Sequence, residues 1–284
     1  MGRDDDVVIW VDGRLHDPSQ PAVSAVDHGI TVGDGVFETC QVTDGRAFAL
    51  TRHLARLTRS ARGMGLADPD LDLIRAGVDA VLEARSDLGR LRITVTAGVG
   101  PLGSLRGAGP QTVIVAAGPY GGPHPIRTLR SPWVRNERSP LAGLKTTSYG
   151  ENVVAVAEAT RVGADEVWLA NTRGELCEGT GSNVFVEVGG ELLTPPLGSG
   201  CLAGITRELV LEWSAQAGLP VREAVLSWEV LDEVTAGRAG LALCGSIRTF
   251  VPVVELDGVA LQTFPLTAEV AALYATRAAE QVDP

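Results

Sequence analysis

The segment from Gly143 to Asn183 sets one amine and one carboxylate where covalent catalysis could use them. It opens G-L-K-T-T-S-Y-G-E-N, with Lys145 at the mouth of a polar turn. It closes D-E-V-W-L-A-N-T-R-G-E-L-C-E-G-T-G-S-N, with Glu178 at the end of a strand pattern and ahead of a small-residue loop. An amine can form a Schiff base with a carbonyl, and a carboxylate can hold a ring nitrogen protonated. Together they are what pyridoxal chemistry requires. Singly, each is a common surface or turn residue. Lys145 stands apart because it is the only lysine in the chain, every other long basic side chain being an arginine. Arginine cannot replace it in a Schiff base, since its guanidinium stays protonated.

Two small-residue loops offer anion sites. In G-S-G-C-L-A-G-I-T-R-E-L a loop opens directly into a helix, so Gly204, Ile205 and Thr206 present backbone N–H groups at a positive helix end. A threonine capping an ordinary helix would read the same way. In L-A-L-C-G-S-I-R-T-F a strand breaks at Gly245-Ser246, again with free N–H donors. A helix after Leu50 carries Arg52, Arg56, Arg59 and Arg62, one of which could reach a phosphate while the others face solvent.

The elements that must hold these residues follow from periodicity. Residues 7–16 predict two strands about an Asp12-Gly13 turn. Gly33 and Gly35 flank Asp34, ahead of a strand from Gly35 to Val42, a turn at Asp44-Gly45 and a return strand to Leu50. Thr51 is expected to cap a helix bearing Leu54, Leu57, Ala61 and Met64, ended by Gly65. A second helix spans Leu71 to Ala84, followed by strands at Arg90–Ala97 and Thr112–Ala117 about a Gly/Pro-rich loop that carries Arg106. Domains are expected at 1–117 and 126–284, joined by the linker 118–125, G-P-Y-G-G-P-H-P. In the second half, strands are expected at Ile126–Val134, Glu166–Ala170, Leu176–Glu178 and Asn183–Val188. A helix over Glu151–Val162 is expected to turn Val153, Val156, Ala157 and Thr160 to one face, and a last helix covers Thr267–Gln281.

At 284 residues and 45% hydrophobic content, the chain can bury a sizeable core. A net charge of -11 without a basic stripe argues against a general nucleic-acid binder. The four cysteines lack C-x-x-C spacing and read as buried thiols, and the four histidines form no H-x-x-x-H pair, so no metal is expected. No apolar run reaches membrane-spanning length, and the start M-G-R-D-D-D has no apolar leader segment, so a cytoplasmic protein without membrane contact is expected.

With these pieces in order, the chain resembles the fold type IV (class IV) pyridoxal-phosphate enzymes, whose closest groups here are D-amino acid aminotransferase and aminodeoxychorismate lyase. The resemblance runs through G-D-G-V-F-E-T at 33–39, H-L-A-R-L at 53–57, L-K-T at 144–146 and C-E-G-T-G-S-N-V-F at 177–185. It continues through G-I-T-R at 204–207 and G-S-I…V-P-V-V-E-L-D-G at 245–258. It implies an α/β (α+β) fold with a small N-terminal α/β domain and a larger C-terminal domain with a pseudo-barrel, assembled as a homodimer. It implies pyridoxal 5'-phosphate held by Lys145 as Schiff base, by Glu178 at the pyridine nitrogen, and by Arg56, Gly204, Ile205, Thr206, Gly245, Ser246 and Ile247 around the phosphate. It implies an amino donor and a 2-oxo acid acceptor. The donor reads as a D-amino acid, extending to (R)-primary amines, with Phe37 as the active-site aromatic residue. Leu102 and Ser104 stand where D-amino acid transaminases carry an Arg-x-His pair, leaving Arg106 and Arg248 as candidate partners of the substrate carboxylate. Tyr149 lies four places after the lysine where branched-chain enzymes have a tyrosine at five, so branched-chain L-specificity is less favoured. Aminodeoxychorismate lyase is the alternative reading, and a scaffold that kept the fold without catalysis is a third.

Overall fold

The computed structural model describes residues 6–284; the first five residues of the acidic start lie outside the described residues. By contacts the chain divides into two units. One holds the described chain through Gly122 together with Leu144–Tyr149 and Val282–Pro284, the other Pro123–Gly143 and Gly150–Gln281.

The first unit begins with the hairpin β1 (Val8–Val11) and β2 (Arg14–His16), joined through Asp12 and Gly13 in left-handed conformations. Then follow α1 (His28–Thr31), β3 (Gly35–Thr43), β4 (Arg46–Ala47), α2 (Leu50–Gly63), α3 (Leu71–Ala84), β5 (Arg90–Thr96) and β6 (Thr112–Gly118). The strands form one antiparallel sheet in the order β2-β1-β6-β5-β3-β4. Leu91, Ile93 and Val95 alternate into the core with Val113, Val115 and Ala117, and α2 and α3 add Leu54, Leu57, Ile74, Val78 and Val81. Burying these side chains drives the unit together.

The return strand expected to reach Leu50 ends at Ala47, because Ala49 turns left-handed (φ 53°) and starts α2 at Leu50. Thr51 is therefore not the cap but a residue of the first turn. Asp283 caps α2 instead: its carboxylate accepts the Thr51 N–H at 2.9 Å and the Thr51 hydroxyl at 2.6 Å. Ala49 donates its N–H to Val282 O at 2.7 Å. Asp283→Ala is expected to cost about 1 kcal/mol, the usual value of an N-cap, read from the midpoint of urea unfolding.

The second unit comprises β7 (Ile126–Arg135), α4 (Gly150–Arg161), β8 (Glu166–Asn171), β9 (Leu176–Gly179), β10 (Asn183–Val188), β11 (Glu191–Thr194), α5 (Ile205–Gln216), β12 (Val221–Glu223), α6 (Val230–Thr235), β13 (Gly240–Gly245), β14 (Thr249–Leu256), β15 (Val259–Ala260) and α7 (Pro265–Glu280). Its sheet runs β12-β11-β10-β13-β14-β7-β8-β9, with β15 on β14. β7 lies parallel to both β8 and β14, while β10 and β13 pair antiparallel. Trp168, Leu176, Val184, Val186, Leu231, Leu241 and Leu243 fill its main core.

The face of α4 shared by Val153, Val156, Ala157 and Thr160 is not its buried one. Asn152, Ala155 and Ala159 are buried, whereas Val153 is 59% exposed. The small residues allow close approach to β8, so the bulkier valines face outward. α1, β12, α6 and β15 carry no sequence signal because each is too short to show a period. All four cysteines are buried and free. Among the described residues no helix is long and apolar enough to cross a membrane.

Candidate active site

Within the first unit, Lys145 is held by its backbone on the edge of β3 that β4 leaves uncovered. Its carbonyl accepts the Phe37 N–H at 3.0 Å, its own N–H reaches Ser60 Oγ on α2 at 3.1 Å, and Thr147 N–H donates to Gly35 O at 2.8 Å. These bonds place the Lys145–Thr147 strip with the first unit rather than with the elements that follow it in sequence. The lysine Nζ lies 4.3 Å from the centre of the Phe37 ring, and the Tyr149 ring meets Phe37 edge-on at 5.2 Å. A second cation joins them: the Arg92 guanidinium sits 3.7 Å from the same Phe37 centre. Phe37 pairs with Thr94 across β3 and β5, so Arg92, two residues away, shares its face. Arg92 carries no motif, and only the strand register brings it to Phe37.

The opposite face of β3 carries Glu38 among core residues, fully buried. It receives Arg56 Nε at 2.7 Å, Arg56 Nη2 at 2.6 Å and His53 Nδ1 at 2.6 Å, the last as a donor because the carboxylate can only accept. Burial pushes the Glu38 carboxyl up, but the Arg56 charge and hydrogen bonds, with His53, overcome it and hold the group below the usual carboxylate range. Burial would lower Arg56, yet the Glu38 charge raises it. Arg56, expected at a phosphate, thus gives one edge of its fork to Glu38, which fixes the side chain in place.

Burial lowers His53 from 6.5, more than Glu38 raises it. A base depressed in the folded state contributes stability above its unfolded value and loses it as the pH falls below. Stability is therefore expected to drop below about pH 6.5, with a slope from this group of at most about 1.4 kcal/mol per pH unit. Thermal unfolding of the wild type and His53→Gln between pH 5 and 7 tests this, with a flatter profile expected for the variant.

Arg106 is bonded within the first unit. Its Nε and Nη2 each donate to Asp34 at 2.7 Å, its Nη1 to Gly65 O at 2.6 Å and its Nη2 to Met64 O at 2.8 Å. It closes the C-terminal end of α2, and the neighbouring His28 Nε2 reaches Pro101 O at 2.9 Å. The Gly33-Asp34-Gly35 turn is thereby the anchor of the Arg106 loop.

In the second unit, Glu178 lies near the end of β9, almost buried. One oxygen accepts the Leu202 N–H at 2.9 Å and the other lies 3.3 Å from Arg135 Nε. Gly204 is the N-cap of α5 and has no side chain with which to cap it, and Ile205 and Thr206 at the helix start are 2% and 3% exposed. Gly204 must lack a side chain: a Cβ there would meet Asn183 Oδ1 at 2.0 Å. Asn183 itself pairs with Cys244 next to Gly245, so the start of α5 and the turn after β13 lie beside one strand end. Burial raises the Tyr274 phenol, partly offset by a hydrogen bond with the Thr206 hydroxyl. Ser246 and Ile247 form the turn into β14, and Arg248 donates to Glu166 Oε2 at 3.2 Å and to Asp165 O at 2.8 Å. Arg248 is thus drawn to β8.

A model of the family described as "Amino-transferase class IV" matches residues 35–256, a span that holds Arg56, Lys145, Glu178, the start of α5 and the Gly245–Ile247 turn. The chain belongs to the class IV aminotransferases. It is similar to a Methanocaldococcus jannaschii protein named "Putative branched-chain-amino-acid aminotransferase", 35% identical over 260 residues and 88% of each chain. It is also similar to the "Bifunctional aminodeoxychorismate lyase / D-amino acid transaminase" of Mycobacterium tuberculosis, 31% identical over 92% of this chain and 94% of the relative. Among solved structures, a hypothetical aminotransferase from Mycobacterium tuberculosis, alpha-ketoglutarate and PMP bound form, superposes with a TM-score of 0.82 at 30% identity, covering 95% of this chain and 98% of that one. The fold is fold type IV, and this aminotransferase uses pyridoxal phosphate.

The residues present fit that cofactor. A buried helix start whose N-cap is a glycine suits a phosphate, which satisfies N–H groups and complements the helix dipole. The Glu178 carboxylate suits a protonated ring nitrogen, and the sole lysine of the sequence supplies the amine.

Proposed function

We propose that this aminotransferase moves an amino group from a D-amino acid to a 2-oxo acid, with Lys145 as the catalytic residue. When bound, pyridoxal phosphate supplies the electron sink that eases removal of the donor's α-proton. Lys145 anchors the cofactor and carries the proton to and from the donor's α-carbon. Glu178 holds the ring nitrogen. Gly204, Ile205 and Thr206, the Gly245-Ser246-Ile247 turn and Arg56 hold the phosphate.

The observation that carries the amino-acid part of this reading is the meeting of the Lys145 amine and the Arg92 guanidinium on the Phe37 ring. A cation on the same aromatic ring as the reacting amine suits a substrate carboxylate. Arg92 takes that role in place of Arg106 and Arg248, whose guanidinium groups are engaged within their own units. The D-configuration rests on Phe37 and on the D-amino acid activity named for the Mycobacterium tuberculosis relative. The same reading extends to (R)-primary amines more weakly, because they have no carboxylate for Arg92 to meet.

Incubation with D-alanine and 2-oxoglutarate, followed by chiral chromatography, is the test. Pyruvate and D-glutamate in equal amounts are expected. Amino transfer from L-leucine alone would replace the reading by a branched-chain one. The relative's other named activity supports a second reading, aminodeoxychorismate lyase. Release of pyruvate and 4-aminobenzoate from aminodeoxychorismate, with no amino transfer, would establish it instead. The working form in this reading is a cytoplasmic homodimer, expected by light scattering at twice the 29.7 kDa chain mass.

A further inference from the structure

Glu166 is a charged residue at the head of β8, a strand otherwise made of V-W-L-A-N, and it is only 1% exposed. A carboxylate is costly to bury unless its oxygens are satisfied. Here they are satisfied from three directions. Oε1 accepts the N–H groups of Val167 at 2.9 Å and Thr180 at 2.7 Å, and the Thr180 hydroxyl. Oε2 accepts the Gly181 N–H at 3.2 Å, the Ser182 hydroxyl at 2.8 Å and Arg248 Nη1 at 3.2 Å. Space is kept open for this by Gly179, where a Cβ would lie 2.9 Å from the Glu166 carboxyl carbon and 2.6 Å from Ser182 Oγ.

One carboxylate therefore ties two segments together. The Thr180–Ser182 loop leaves β9, the strand that carries Glu178. The turn after β13 carries Ser246 and Ile247 and then Arg248. The two also lie close, since a Cβ on Gly245, at the end of β13, would come within 3.3 Å of Gly181 O.

We propose that Glu166 is a positioning residue for pyridoxal phosphate, setting the turn of Ser246 and Ile247 against the loop after Glu178 so that the phosphate is gripped. The proposal rests on the assignment of those residues to the cofactor. Glu166→Gln keeps the size of the side chain but puts an NH₂ where Gly181 N–H, the Ser182 hydroxyl or Arg248 now donates.

The test titrates the apoprotein, wild type and Glu166→Gln, with pyridoxal phosphate and with pyridoxal, following tryptophan fluorescence and the visible absorption of the lysine-bound cofactor. Circular dichroism and thermal unfolding of the apo forms report the fold. The variant is expected to remain folded and to bind pyridoxal phosphate about ten- to a hundredfold more weakly. Its affinity for pyridoxal, which has no phosphate, is expected within about twofold of the wild type. Unchanged affinity for pyridoxal phosphate, or an equal loss for both ligands, would overturn the proposal. If Glu166→Gln fails to fold, Ser182→Ala removes a single donor, and the same selective loss, smaller in size, is expected; its absence overturns the proposal. A wild type that binds pyridoxal phosphate beside an unaffected variant rejects only the role of Glu166. A wild type that does not bind it rejects the cofactor assignment and this proposal with it.

Discussion

Lys145→Ala is expected to fold like the wild type and to transaminate at least about 10³-fold more slowly, a loss within the range for a positioned acid–base group. The fold survives because the strip around Lys145 is held by its backbone, through Phe37 and Ser60, and not by the lysine side chain. The rate collapses because the amine has no understudy: the sequence contains no other lysine, and arginine stays protonated. Circular dichroism gives the first half of this expectation, and kcat with the best donor the second. A variant retaining near-normal turnover would contradict the assignment of Lys145.

The second large effect concerns stability. Glu38→Ala removes the carboxylate that takes both Arg56 and His53, leaving a buried guanidinium that has lost its counter-charge. Breaking such a pair from one side costs about 3–5 kcal/mol. Urea unfolding should show a loss of that order, a large fraction of the stability of an ordinary domain. Adding Arg56→Met should restore part of it, because the uncompensated charge is then gone. The double-mutant cycle separates the pair from its surroundings. Equal losses for Glu38→Ala with and without Arg56→Met would contradict a coupled pair. Weaker cofactor binding by Glu38→Ala is expected as well, since Arg56 loses the partner that fixes its fork.

Much of the frame is legible in the amino-acid sequence. Alternation of Leu91, Ile93 and Val95 marks β5, and Leu71, Ile74, Val78 and Val81 at helical spacing mark α3. Lys145 is legible through composition alone. The α5 start is legible because a small-residue loop runs straight into a helical period. Other features depend on partners remote in sequence. Asp283 caps Thr51 across 232 positions, so no local pattern could name it. Arg92 reaches Phe37 only through the β3–β5 register. Arg106 looked available in its loop because Asp34 and the end of α2, which hold it, are defined by folding. Glu38 did leave a trace. It interrupts the core series Val36, Cys40 and Val42 at a position that should be apolar, and such a break marks a buried charge in need of partners.

The most direct measurement is a half-reaction. Protein loaded with pyridoxal phosphate is mixed with D-alanine and, separately, with L-leucine, in the absence of any oxo acid, and the visible absorption of the cofactor is followed. The account predicts that D-alanine removes this absorption and releases one pyruvate per active site, while L-leucine leaves it unchanged. Loss of the absorption with L-leucine and not with D-alanine, or with neither, would contradict it.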